Sequence, residues 1–217
     1  MVPVPATRRA IERERPLSLD DLDDHDHRVI VSGIEWDHFE SILDRHADRP
    51  GTRLAYLDGD LDLTSPSLNH ERRKTLVGRL LEAYADELEL DVDGYGSWTL
   101  KDREVAAALE PDECYAIGDT SPGGPRRPDL AIDIDITSGG VDRMEIYRRL
   151  GVREVWRWRH GVIAVHVLGR KGYKLRTDSS VLPGFDTGAL CTFLSREGSQ
   201  TKIVRAWRAW LRDRKQP

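Results

Sequence analysis

Three short segments carry side chains that could do chemistry together. Glu110-Pro111-Asp112 leads into an apolar run, Asp129 to Ile136 (DLAIDIDI) sets Asp129, Asp133 and Asp135 on alternate positions, and Arg143 follows after a glycine-rich turn. Two carboxylates from neighbouring strands beside a cation suit a hard divalent ion and an anionic substrate. Mg2+ (or Mn2+) takes oxygen ligands and keeps several waters, so one or two Asp side chains and a backbone carbonyl suffice to hold it. Such an ion polarises a phosphate oxygen and lowers the pKa of a bound water, while a guanidinium stabilises charge building on the phosphate. Each segment also has a plainer reading. An acidic strand face is ordinarily the wet side of an antiparallel sheet, Pro-Asp often opens a strand, and an arginine is usually a surface charge. Arg143 resists the plain reading, because it shares one helical stripe with Ile146, Tyr147 and Leu150, which points its head inward.

Other candidates are weaker. His70 and Glu71 fall in the first turn of a long helix, where Glu71 reads equally as a metal contact through water and as an acid complementing the helix dipole. Asp62 is a lesser candidate on a hairpin. Asp20, Asp21, Asp23, Asp24 and Asp26 crowd around His25 and His27, and like charges at that density favour an extended, solvated linker over a metal cluster. No G-x-S-x-G is present, no histidine sits in a nucleophile context, and Walker and dinucleotide glycine patterns are absent. Cys114 and Cys191 have no metal-type spacing and read as ordinary semi-buried thiols.

The elements that must position these residues follow from periodicity. Ser32 to His46 has helical spacing with Ser32 as its cap, and Arg53 to Leu63 is a hairpin turning at Asp58-Gly59. From about Asn69 to Leu90, Leu76, Val77, Leu80, Leu81, Tyr84 and Leu88 make one stripe, so this helix packs on a sheet. Gly94 to Leu100 and Glu113 to Ile117 read as strands, and residues 120 to 128 as a loop. Asp129 to Ile136 alternates, with Leu130, Ile132, Ile134 and Ile136 opposite the acids. Val141 to Leu150 is a short helix closed by Gly151, followed by strands at Val155 to Trp158, Val162 to Leu168 and Tyr173 to Leu175. Trp156 and Trp158 read as core rather than as base-stacking residues. The expected organisation is an arm over 1–28, one α/β domain over 29–200, and a basic amphipathic helix over 201–217.

Composition bounds the function. The chain has 217 residues, 33 Lys+Arg against 38 Asp+Glu and a formal net charge of -5, which argues against a sequence-blind DNA coat. Charge is unevenly spread, however: from Arg143 to Arg159 six arginines face two glutamates, a local net of +4. No run approaches the ~20 apolar residues of a membrane span. The first stretch lacks the apolar middle of a signal peptide, so the expectation is a cytoplasmic protein with no membrane partner.

The order YLDGDL, SP-x-x-x-HE, EPDECY, RPDLAID and TSGGVDRMEIYRRLGVREVW resembles the Uma-two family of endonucleases, in the restriction-endonuclease-like PD-(D/E)XK superfamily, from about residue 50 to 170. The resemblance implies a restriction endonuclease-like core, a central mixed β-sheet flanked by helices, and Mg2+-dependent hydrolysis of DNA phosphodiester bonds. It makes Asp112 the Asp of the first motif, puts Asp133 where the second usually has Glu, and puts Arg143 where the catalytic lysine has moved into the following helix. Asp112 and Asp133 would bind the metal, with Asp135 and Glu71 as further candidates. Asp133 withdraws its oxygens by one methylene, ~1.5 Å. Arg143 keeps the charge but never deprotonates, which weakens cutting or abolishes it. The alternative reading is therefore a catalytically inactive, nuclease-like module that binds nucleic acid or a protein. Asp135 stands where relatives have an apolar or aromatic residue, and either adds a metal oxygen or raises a neighbour's pKa. The Trp207/Trp210 face is a candidate two-fold contact for a homodimer.

Overall fold

The computed structural model describes residues 25–46, 51–118, 124–136 and 139–215. The fold is α/β, built on two sheets. The larger has the order β11-β10-β9-β8-β7-β4, comprising β4 (Val92–Gly94), β7 (Glu113–Ile117), β8 (Leu130–Asp135), β9 (Glu154–Arg159), β10 (Val162–Gly169) and β11 (Gly172–Arg176). It is mixed: β8 and β9 run parallel, while the other pairs are antiparallel. Parallel neighbours need a crossover, and a helix at Arg143–Leu150 supplies it. That βαβ unit lifts Arg143 over the end of β8.

The smaller sheet has the order β1-β3-β2-β6-β5, comprising β1 (His27–Val31), β2 (Arg53–Leu57), β3 (Asp60–Ser65), β5 (Leu100–Asp102) and β6 (Ala107–Leu109). The β2–β3 hairpin turns at Asp58 (φ 49°) and Gly59 (φ 97°), the paired positive φ that a tight Asp-Gly turn demands. The helices are α1 (Trp36–His46), α2 (Leu68–Leu88), α3 (Arg143–Leu150), α4 (Thr187–Leu194) and α5 (Gln200–Lys215). No described helix is long and apolar enough to cross a membrane.

Two cores meet at β8. On one side Leu130, Ile132 and Ile134 join the stripe of α2, the tryptophans Trp156 and Trp158, and residues of α4 and α5. Leu76, Val77, Leu80 and Leu81 are fully buried there, each contributing ~1.5–3 kcal/mol. On the other side Ala131 and Val155 pack with Ile146 and Tyr147 of α3 and with Ala55, Leu100, Ala107 and Leu109 of the smaller sheet. The acidic face of β8 therefore points at a second layer instead of water, and Asp133 is 2% exposed.

Several sequence expectations need correction. The linker reading stops short: residues 1–24 lie outside the described residues, but His27 and Arg28 open β1, which pairs with β3. Ser32 does not cap α1, which begins at Trp36. The run from Gly94 to Leu100 divides into the end of β4 and the start of β5. Trp207, offered for a two-fold contact, is fully buried and donates its indole N–H to Leu80 O at 2.8 Å. That face holds α5 to α2.

Candidate active site

Asp112, Asp133 and Arg143 converge from three separate segments. Asp112 sits in the turn between β6 and β7, anchored when its backbone N–H donates to Ile132 O at 3.2 Å. Its Oδ2 accepts from the Ile134 N–H at 2.7 Å, so the turn is stitched to β8 twice. Asp133 lies on β8 itself. Arg143 is the first residue of α3, whose cap Asp142 accepts from the Glu145 N–H and whose far end closes at Gly151 with φ 70°.

Arg143 grips Asp133 as a fork: Nε donates to Oδ2 and Nη2 to Oδ1, both at 2.8 Å. The same Nη2 also donates to Glu110 O at 2.9 Å. Tyr147, one turn further along α3, donates its hydroxyl to Asp133 Oδ1 at 2.9 Å. Burial opposes the Arg143 charge, but the Asp133 carboxylate beside it holds the guanidinium well above its ordinary pKa. Burial, then the Asp133 charge, likewise pushes the Tyr147 phenol up, so it is a fixed donor.

Asp112 belongs to a second chain of contacts. His70, in the first turn of α2, lies with Nε2 2.9 Å from Asp112 Oδ1 and Nδ1 3.0 Å from Asp26 Oδ2. Ser67 caps α2 by accepting from the His70 N–H at 3.2 Å, and the Ser67 N–H donates to Asp26 Oδ1 at 2.8 Å. Burial disfavours the imidazolium, yet the contacts with Asp112 and Asp26 push its pKa up to about 10. His70 is thus a cation at neutral pH. Asp112 is raised by burial and lowered more by the His70 contact, the His70 charge and the Arg143 charge, so it stays ionised. Arg53 Nε stands 3.8 Å from the same Oδ1.

The remaining candidates are drawn elsewhere. Asp135 lines the pocket but is paired with Arg157 of β9; burial, then the Asp133 charge, raises its pKa. Glu71 faces Arg53 at 3.4 Å and Lys74 at 3.6 Å, is half-exposed, and does not line the pocket. Its neighbour His70 holds the inward position. Asp62 is buried and tied to Arg28 at 3.2 Å and to the Val141 N–H at 3.3 Å, which fixes the loop leading into α3. The basic stretch from Arg143 to Arg159 is largely neutralised: Arg148 pairs with Glu145, Arg149 with Asp58 and Glu145, and Arg157 with Asp135.

Sequence reasoning missed Asp26, Arg53 and Tyr147. Asp26 was hidden in an acidic run that reads as solvated. Tyr147 carried a signal, since it lies four residues after Arg143 on one apolar stripe and its hydroxyl needs a partner there.

The pocket between these groups is about 20 Å3, lined by Asp112, Asp133, Asp135, His70, Arg53 and Arg143 among others. That is room for about one water. A divalent cation needs carboxylate oxygens free to approach at ~2.0–2.1 Å for Mg2+. Here both oxygens of Asp133 and Oδ2 of Asp112 accept N–H or O–H bonds, and Asp112 Oδ1 lies against the cationic His70 and Arg53, so the donor set as packed does not fit the ion. Among the described residues no three His, Cys, Asp or Glu side chains are grouped to hold a metal.

A larger cleft of about 590 Å3 lies against the same first turn of α2. Arg72, Arg73 and Arg196 line it against one acid, Glu197. Arg72 donates to Gly198 O at 2.8 Å, and the Arg73 and Arg196 guanidiniums lie over the Trp158 and Phe193 rings.

Comparison with known proteins adds the family. The Uma2 family model, described as "Putative restriction endonuclease", matches residues 36–199. Among solved structures the chain is similar to "a putative nuclease belonging to DUF820 from Anabaena variabilis", at 14% identity and a TM-score of 0.46, covering 76% of this chain and 98% of that one. No curated protein matches.

Proposed function

The chain belongs to the Uma2 family, described as "Putative restriction endonuclease", and from that premise we propose that it is a nuclease hydrolysing phosphodiester bonds of DNA at the Asp112, Asp133 and Arg143 centre. The carrying observation is the convergence of these residues from a turn, a strand and a helix on one buried pocket. Their chemistry suits a phosphodiester. Arg143 and the His70 imidazolium are fixed positive charges where negative charge accumulates on a transferring phosphate. Neither serves as a base at neutral pH, since guanidinium does not deprotonate and His70 holds its proton up to about pH 10. Arg72 and Arg196 in the neighbouring cleft offer a path for the rest of a strand. Mg2+ or Mn2+, which the family resemblance implies, enters this reading only as a requirement to be measured.

The test is cleavage of supercoiled plasmid and of single-stranded DNA with Mg2+, with Mn2+ and with chelator. The wild-type chain should cut, and Asp112→Asn should cut on the order of 100-fold more slowly or not at all. Wild-type protein that never cuts, or a variant that cuts equally well, sinks the proposal. The Arg143–Asp133 fork favours a second reading, DNA binding without cleavage. Binding with a steep salt dependence and no product would select it.

A further inference from the structure

We infer that Arg143 is the resident counter-ion of this centre: in the protein free of nucleic acid its guanidinium fills the position a divalent cation would need, and removing it opens a cation site on Asp133. This goes beyond the nuclease reading and holds whether or not the chain cuts DNA.

The geometry carries it. A hard cation at this point would draw on the carboxylates of Asp112 and Asp133 and on a nearby backbone carbonyl. Arg143 already takes both oxygens of Asp133 at 2.8 Å and the Glu110 carbonyl at 2.9 Å, one side chain holding two of those three ligands. Tyr147 takes a further lone pair of Asp133 Oδ1. On Asp112, Oδ2 is held by the Ile134 N–H, and Oδ1 faces His70 and Arg53. The remaining 20 Å3 is lined by the cationic Arg28, Arg53, His70 and Arg143 as well as by the carboxylates.

Arg143 is also poorly placed to yield. It cannot shed its charge, and its head is bound at three points. Its stem is mostly buried on a helix capped at both ends. A planar, bidentate pair in a buried site is the arrangement in which arginine–carboxylate contacts are strongest. A lysine ammonium, a compact point charge on a flexible stem, could not close the same fork.

The experiment is Mn2+ titration of the full chain without nucleic acid, followed by the electron paramagnetic resonance of free Mn2+. Wild-type protein should show no Asp133-dependent site tighter than about 1 mM. Arg143→Met, which keeps the bulk of the stem, should gain one site tighter on the order of 100-fold. Adding Asp133→Asn to that variant should remove it. A wild-type site that disappears in Asp133→Asn overturns the inference, as does a folded Arg143→Met chain that gains no site. If circular dichroism shows Arg143→Met unfolded, the neutral and polar Arg143→Gln takes its place with the same two outcomes. Failure of the cleavage assay leaves this result untouched, because nothing in the titration requires turnover.

Discussion

The clamp on His70 makes stability depend on pH in a way that one substitution isolates. His70 lies 3.0 Å from Asp26 and 2.9 Å from Asp112, and its pKa stands at about 10 where an unfolded chain has 6.5. Because the folded value lies above the unfolded one, the contribution is fully present below pH 6.5 and is lost as pH climbs through about 10. A gap of roughly 3.5 units at about 1.36 kcal/mol each sets a ceiling of ~5 kcal/mol. His70→Gln removes the charge but keeps an amide donor toward the carboxylates, so its cost is smaller, about 2–4 kcal/mol. Urea unfolding of wild-type and variant chains, at about pH 6 and again at about pH 10.5, measures the difference directly. The variant should be weaker by that amount at the lower pH and nearly equal at the higher. An unchanged difference at the two values, or none at the lower, would refute the ion-clamp account.

Two further predictions use groups outside that clamp. Burial pushes Glu113 up to about 7, above its unfolded 4.5, so its contribution is held below pH 4.5 and lost as pH rises through about 7. Glu113→Gln should therefore raise stability by about 1–3 kcal/mol at about pH 8, with little change at about pH 4, read by the same denaturation. Arg72→Ala combined with Arg196→Ala should weaken DNA binding about tenfold and flatten its log-log salt slope by about 2, read by fluorescence anisotropy over a salt series. An unchanged slope would remove the cleft from the binding surface.

How much of this was legible in the sequence depended on the range of the interaction that decides each feature. The stripe of α2, the alternation of β8 and the Asp58-Gly59 turn are set by neighbours within a few residues, and these were readable. β1 was not, because its pairing with β3 is distant in sequence and its exposed edge shows no apolar alternation. β6 is only Ala107–Leu109, too short for a period, and α4 is eight residues with no polar face to mark it. At the candidate site, the inward direction of Arg143 followed from its stripe. What it would find there did not. The acidic face of β8 reads as wet unless one knows that α3 and a second sheet cover it, and the burial of Asp26 depends on residues 41 and 44 positions away.

The departures from the family pattern make more sense as pairs than singly. Asp133 is a methylene shorter than the glutamate the resemblance leads one to expect, and Arg143 is longer and broader than the lysine. Taken alone, the shorter acid would lose contact with a metal and the guanidinium would be a poor shuttle for protons. Together they form a bidentate fork at 2.8 Å with no gap between them. Asp135 follows the same logic, for a carboxylate where an apolar residue is expected would be costly if buried unpaired, and Arg157 on the adjacent strand pairs with it. In each pair a side chain that looks unfavourable in isolation has its own counter-charge. Asp26, Asp62, Asp112, Asp133 and Asp135 are matched by His70, Arg28, Arg53, Arg143 and Arg157. A centre balanced in this way leaves none of these carboxylates without a counter-charge. The formal net charge of -5, counted with neutral histidines, therefore lies almost wholly in the rest of the chain and gives no measure of the field at this pocket.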